Sequence, residues 1–245
     1  MKLLVTGASG YIGSKLIPRL VAAGHQVVCL VRDPERLKSR NWNGVEIRQG
    51  DLLDPASLDQ LMNGIDIAYY LVHSMADGVT GYIGRDYAAA SNFSAAAGGS
   101  GLQRIIYLGG LGECEKGLSP HLEARQDVGN ILRQSGVPVS EFRAAIIIGS
   151  GSMSFEMIRY LTERLPILPT PPWINTLCQP IAIGDILEYL VKSLAESTSS
   201  DFIYEIGGPD TLTYAEIMRG YAQARRLKRS MVTLPILTTS MLALG

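Results

Sequence analysis

The sequence predicts a doubly wound α/β fold, with a parallel sheet covered by helices on both faces and a small lobe toward the C-terminus. Apolar runs rich in Val, Ile and Leu near 2–6, 26–31, 45–48, 65–72, 103–109, 138–147 and 202–206 alternate with helix-period stretches near 11–23, 55–62, 82–97, 119–135, 184–196 and 213–226. The strand runs are continuously apolar, the pattern of parallel strands buried on both faces. The first strand also passes into the first helix through a glycine-rich turn.

The first strand is Lys2-Leu-Leu-Val-Thr6, and the first helix runs from Tyr11 to Ala23, where Gly24 ends it. Between them, Gly7-Ala8-Ser9-Gly10-Tyr11-Ile12-Gly13 has the spacing G-x-x-G-x-x-G. Gly7 permits a sharp turn, Gly10 lets a pyrophosphate approach the backbone, and Gly13 lets helix and strand pack closely. The helix N-terminus presents unpaired N–H groups and a positive dipole end to that anion. Strand, loop, helix and second strand fall in the order of a Rossmann unit, so Gly7, Ser9, Gly10, Tyr11, Ile12 and Gly13 are expected to hold a dinucleotide.

The second strand, Gln26–Val31, ends where an NAD-preferring protein usually places an acid on the ribose hydroxyls. Here the residue is Arg32, whose guanidinium suits a 2′-phosphate, so NADP(H) is the preferred cofactor. Asp33 follows and keeps NAD(H) possible. After the third strand, Asp51 and Leu52 are placed to meet the adenine edge; Asp51 could instead cap the segment after Pro55, a role Asp54 fits better. Leu71, Val72 and His73 close the fourth strand, at the edge from which such folds present groups to a ligand.

Beyond Gly149 the rhythm loosens into a Gly/Ser turn, a helix at 153–164 and the Pro-rich stretch Leu165–Trp173, expected to be a loop or lid. The expected organisation is a dinucleotide-binding core over 1–148. Residues 149–245 then supply a strand returning to the sheet and a substrate-side lobe. The apolar finish from Leu234 to Gly245 reads as a chain that continues. The 22 basic and 23 acidic residues nearly cancel, giving no general field for nucleic acid or an anionic membrane. A small-molecule partner is expected. No run of 18 uncharged apolar residues suggests a membrane span. Cys29, Cys114 and Cys178 lack CxxC spacing, and the N-terminus lacks the layout of a secretory signal, so a reducing cytoplasm is expected. With histidines only at 25, 73 and 121, no metal site is expected.

Thr6–Gly13, Val31-Arg32-Asp33 and Gly50-Asp51-Leu52 together resemble the extended and atypical short-chain dehydrogenase/reductase superfamily, especially its NmrA-like and nucleoside-diphosphate-sugar-epimerase-like branches. The likeness continues through Leu71–Met75, Arg104–Gly109, Phe142-Arg-Ala144 and Gln179–Asp185. It implies cofactor binding, with hydride transfer as the commonest activity. The superfamily usually relies on a Tyr-x-x-x-Lys pair and a Ser or Thr after the fifth strand. This chain has His121-Leu-Glu-Ala-Arg125 at the first place and Gly109-Gly110 at the second.

His121 and Arg125 share a helical face at i, i+4, and are the candidate catalytic pair. Arg125 keeps its proton and would hold a ribose hydroxyl or phosphate. It should also depress the histidine, leaving a neutral imidazole suited to base-assisted oxidation or to reduction of an activated alkene or quinone. The alternative is that the pair only binds cofactor or caps the helix. Two functions stay open: an oxidoreductase on a small substrate, and a non-catalytic NADP(H)-binding sensor or scaffold. The resemblance also implies a possible homodimer, since members of the superfamily often pair through the helices beside the fourth and fifth strands, here 82–97 and 119–135.

Overall fold

The computed structural model describes residues 1–73, 78–112, 119–196 and 199–234. Its chain forms two compact units, residues 1–144 with 184–206 and residues 145–183 with 207–245.

The first unit opens with β1 (Lys2–Thr6), α1 (Tyr11–Ala22), β2 (Gln26–Val31), β3 (Val45–Gln49) and β4 (Ile67–Tyr70). It continues through α2 (Gly78–Ala97), β5 (Arg104–Gly110), α3 (Pro120–Arg133) and β6 (Val139–Ala144). The second unit holds β7 (Ile147–Ile148), α4 (Met153–Arg164), β8 (Ile167–Thr170), β9 (Leu177–Cys178) and β10 (Ile181–Ala182). After α5 (Ile183–Lys192) and β11 (Phe202–Ile206), which the first unit takes back, come β12 (Leu212–Thr213), α6 (Tyr214–Ala224) and β13 (Ser230–Thr233).

Seven parallel strands form the central sheet in the order β11-β6-β5-β4-β1-β2-β3. The chain winds outward from β1 in both directions, so β1 and β4 flank the switch point. In such sheets a crevice opens there beyond the carboxyl ends of the strands. Leu3, Leu4 and Val5 of β1 are wholly buried, as continuous apolar patterning requires of a central parallel strand. On one face Ala89, Ala90, Phe93 and Ala97 of α2 pack closely on the sheet. Phe93 meets Tyr70 edge-on at 5.0 Å, and Tyr70 meets Tyr107 at 6.0 Å.

Helix α1 ends as its sequence dictates. Gly24 adopts φ +82°, Gly24 N–H bonds to the Val21 carbonyl, and His25 N–H reaches back to Leu20 at 3.1 Å, a Schellman closure.

Three expectations for individual elements need correction. The helix expected at 55–62 is a single 3-10 turn, Pro55–Leu58, capped by Asp54 through Ala56 N–H at 3.2 Å. Beyond it, Leu61 N–H to Leu58 and Ile65 N–H to Met62 are i to i+3 bonds, and Gly64 at φ +68° turns the chain into β4. The strand expected at 138–147 breaks after Ala144, and Ile147–Ile148 pairs instead with β10. The Pro-rich stretch read as a loop contains β8, which pairs in parallel with β13 more than 60 residues later. Pro169 is tolerated because a two-stranded ribbon leaves one side of each strand without a ladder to feed.

The second unit has its own small core, with Ile146, Ile158, Leu168, Ile174, Ile217 and Met218 at its centre. Trp173 packs into it, edge-on to Tyr214 at 5.7 Å. A capping box starts α6: Glu216 N–H bonds to the Thr213 hydroxyl at 3.1 Å, and Thr213 N–H to the Glu216 carboxylate at 2.7 Å. Among the described residues no helix is long and apolar enough to cross a membrane.

Candidate cofactor site

The turn between β1 and α1 is built for close approach. Gly7 sits at φ +70°, and a Cβ there would lie 2.6 Å from the Leu71 carbonyl oxygen. A Cβ on Gly13 would lie 2.4 Å from the Gly7 oxygen and 3.0 Å from Ala8 Cα, so helix and loop touch backbone to backbone. Gly10 N–H closes the turn on the Gly7 carbonyl at 2.9 Å. Gly10 is also the N-cap, provides no side-chain acceptor, and is followed by a first turn without an acid. The amides and dipole of α1 therefore meet no local carboxylate, which leaves the cradle electrostatically suited to a pyrophosphate. The buried Thr6 hydroxyl donates to the Tyr69 carbonyl and accepts from Leu71 N–H, joining the end of β1 to that of β4.

A cleft of about 330 Å³ opens on this turn, within the usual size range of ligand pockets. Among the residues expected at the site, Gly7, Ser9, Gly10, Arg32, Asp51, Leu52, Leu71, Val72 and His73 line it. Tyr11, Ile12 and Gly13 form the first turn of α1 behind the loop.

At the end of β2, Arg32 and Asp33 are joined by Arg36. Asp33 caps the 3-10 turn Pro34–Leu37, its carboxylate accepting from Glu35 N–H at 3.0 Å. Across the cleft, the Asp51 carboxylate accepts from Leu53 N–H at 3.0 Å, while Asp51 N–H and the Ser57 hydroxyl meet at 2.9 Å. Asn92 on α2 donates to the Leu52 carbonyl at 2.8 Å and fixes that loop. Arg85, also on α2, brings a third guanidinium to the cleft.

Arg36 and Arg85 did not emerge from sequence reasoning. Arg36 had a readable signal, because the Asp33-Pro34 cap turns the chain back four residues after Arg32. Arg85 had none, since only the packing of α2 on the sheet brings it to β1 and β4.

Beyond the end of β4, His73 Nδ1 lies 2.9 Å from the Asp86 carboxylate, which is 5% exposed. The His121 ring packs against His73 with centroids 4.9 Å apart. Burial first, then His73, then Arg125 push the His121 pKa below its ordinary value, with Asp86 opposing them.

The structure brings His121 to His73 but directs Arg125 elsewhere. The Arg125 guanidinium donates to the Leu108 carbonyl and lies over the Tyr107 ring at 5.3 Å, while the Tyr107 hydroxyl donates to the Arg125 carbonyl at 2.8 Å. It thus ties α3 to β5.

At the two glycines that stand where the superfamily carries a hydroxyl residue, an added Cβ would meet the ends of side chains. A Cβ on Gly110 would lie 2.8 Å from Leu122 Cδ2, and one on Gly109 would lie 3.0 Å from Glu141 Oε1. Among the described residues, no group of three or more His, Cys, Asp or Glu is arranged to hold a metal ion.

A glycine cradle at a helix N-terminus, placed at the switch point of a parallel sheet, defines a dinucleotide-binding Rossmann protein. The chain belongs to the NAD(P)H-binding family, whose model matches residues 7–144, more than half of its length.

It is 26% identical over 221 residues to the (4-alkanoyl-5-oxo-2,5-dihydrofuran-3-yl)methyl phosphate reductase of Streptomyces griseus, covering 87% of this chain and 70% of that one. It is 25% identical over 219 residues to the photosystem II assembly factor Ycf39 of Trieres chinensis, covering 89% and 67%. The triphenylmethane reductase of a Citrobacter species, solved with NADP(H), shares its fold at a TM-score of 0.77 and 21% identity, covering 95% of this chain and 79% of that one.

Proposed function

We propose that the protein is an NADP(H)-dependent reductase of a small, electron-poor conjugated substrate. The observation that carries the cofactor choice is that Arg32 and Arg36 both line the cleft beyond the end of β2, with Asp33 between them capping the 3-10 turn. Two guanidiniums match the geometry and charge of a 2′-phosphate, whereas the ribose diol of NAD(H) needs an acceptor there. The Gly7–Gly13 cradle would hold the pyrophosphate. Asp51 and Leu52 would border the adenine, and Leu71, Val72 and His73 would face the nicotinamide end. Bound cofactor would supply the hydride.

The choice of substrate follows from what replaces Tyr-x-x-x-Lys. A depressed His121 favours a neutral imidazole, and Arg125 is held on β5, so neither is a strong acid for an ordinary ketone. Acceptors that take hydride without prior protonation, such as enones and quinones, make the smaller demand. The Streptomyces relative is named for an acyl-substituted unsaturated lactone, a compound of this electronic type. The test is NADPH consumption with a panel of enones, quinones and aldehydes. Turnover of the first two classes supports the reading, and turnover confined to aldehydes contradicts it.

A second reading, a cofactor-binding assembly or sensor protein without turnover, is favoured by one relative's name as an assembly factor and by the lack of a hydroxyl side chain at Gly109-Gly110. Tight NADPH binding with no turnover across the panel would select it.

A further inference from the structure

We propose that the second unit carries a docking surface for anionic lipid bilayers, formed by the outward face of α4 and the basic segment at 225–229.

Helix α4 is apolar on two opposite faces. Ile158 lies buried in the core of the unit, as an amphipathic helix requires. On the opposite side Met153, Met157 and Tyr160 recur at i, i+4 and i+7 and are 66%, 51% and 52% exposed. Arg164 completes this stripe one turn further on. Its guanidinium lies over the Tyr160 ring at 4.4 Å and donates to the Tyr160 hydroxyl at 3.0 Å. Three residues later Ile167 is 61% exposed.

The charge beside this stripe is concentrated and positive. The near cancellation over the whole chain does not hold here, because residues 153–167 and 221–234 carry six basic against two acidic side chains. Both acids are paired, Glu156 with Arg159 at 2.6 Å and Glu163 with Arg159 and Arg225 at 3.3 and 3.5 Å. Arg229 donates to the Thr162 and Glu163 carbonyls at 2.5 and 2.8 Å, and Ser230 N–H bonds to the Pro166 carbonyl at 3.1 Å. The segment at 225–229 therefore runs along the last turn of α4.

Within that segment Arg226 occupies a place suited to glycine. It follows the C-cap of α6, with Arg226 N–H bonded to the Gln223 carbonyl at 3.0 Å and Leu227 N–H to that of Ala222 at 2.8 Å. Its φ of +56° is the left-handed conformation that Gly24 adopts at the same point of α1. Glycine takes it without a Cβ penalty, so local geometry gives no reason for an arginine. What the side chain adds is an exposed cation beside the exposed Lys228.

Two properties, apolar exposure and positive charge, choose the occupant. An acidic peptide would match the cations and leave Met153, Met157 and Ile167 in water. A second copy of this chain, meeting the face by two-fold symmetry, would set the same cations against themselves. An anionic bilayer answers both. The methionines and Ile167 enter the acyl boundary, Tyr160 sits at headgroup depth, and the long basic side chains reach the lipid phosphates.

The test is sedimentation of the full chain with unilamellar vesicles of phosphatidylcholine, alone or with about 30% phosphatidylglycerol. Binding to the anionic vesicles should be at least about tenfold tighter, and should weaken as salt rises from about 0.05 to 0.5 M. Arg226→Gly with Lys228→Gln should lower the partition coefficient by about tenfold or more, since each basic residue near such a surface contributes about fivefold. Met153→Ser with Met157→Ser should lower it by about tenfold. Thermal midpoints should hold in both, and Arg226→Gly alone should keep or raise its own, which separates lost binding from lost folding. Lys192→Gln, on α5 of the first unit, should bind within about twofold of wild type.

No sedimentation with anionic vesicles at low salt, equal affinity for the two compositions, or wild-type partitioning in both double variants overturns the proposal. Dimerisation in analytical ultracentrifugation that Met153→Ser with Met157→Ser abolishes, without vesicle binding, overturns it in favour of a second copy. Vesicle binding does not depend on turnover, so failure here leaves the reductase reading as it stands.

Discussion

Glu141 and Arg143, two residues apart on β6, form an ion pair at 2.7 Å in which the carboxylate is wholly buried. The other carboxylate oxygen accepts from Arg133 of α3. The acid also presses on Gly129, where a Cβ would lie 2.5 Å from Glu141 Oε2. This pairing anchors α3, and with it His121, to the sheet. Removing the acid leaves two poorly exposed guanidiniums without their shared partner, so Glu141→Ala is expected to cost about 3–5 kcal/mol of stability, measured by urea unfolding. A loss below about 1 kcal/mol would show that the pair anchors nothing.

Gly13→Ala places a methyl group against the Gly7 carbonyl, where backbone must move to admit it. The expected cost is about 1–3 kcal/mol, together with a loss of NADPH affinity, because the displaced loop is the cradle itself. Thermal melts and cofactor titration on one preparation check both effects. An unchanged affinity would place the pyrophosphate elsewhere.

Acid should destabilise the protein beginning near neutrality. The folded-state pKa values of His25 and His121 are both lowered, mainly by burial. Below the unfolded value of about 6.5 the unfolded chain binds more protons than the folded one, so stability present above that pH is lost as it falls toward the folded values. The thermal midpoint should therefore drop between pH 7.5 and 5.5, and His121→Asn should flatten part of that slope. A midpoint that rises on acidification would contradict the assignment.

Asp33→Asn tests whether this carboxylate serves the chain or a ribose. As a cap it tolerates asparagine, so stability should change by less than about 1 kcal/mol and NADH affinity should stay within twofold. A tenfold loss of NADH affinity would make Asp33 a ribose ligand.

The sequence made the sheet legible because its inner strands are buried almost continuously, although the edge strands β3 and β11 are largely exposed, and because its helices carry an apolar period. It made the phosphate loop legible because Gly7 and Gly13 occupy places where a Cβ would collide with backbone. What it concealed depends on contacts between distant segments. The β8–β13 ribbon joins residues more than 60 apart and disguises itself with prolines. Asp86 lies on a helix whose local pattern gives no reason to point it at His73. Arg125 has the spacing of a catalytic partner, yet a carbonyl and an aromatic face on β5 hold it, and neither can be read from i, i+4 spacing. Local pattern thus reports elements and turns, while the direction of a long polar side chain is set by packing.

The proposed preference for NADP(H) rests on Arg32 and Arg36 at one end of the cleft. The direct measurement is fluorescence titration with NADPH and NADH, on wild type and on Arg32→Ala. Wild type should bind NADPH at least about tenfold more tightly, and Arg32→Ala should remove about 1.5–3 kcal/mol of NADPH affinity while leaving NADH nearly unchanged. Equal wild-type affinities, or equal losses for both cofactors in the variant, would contradict it.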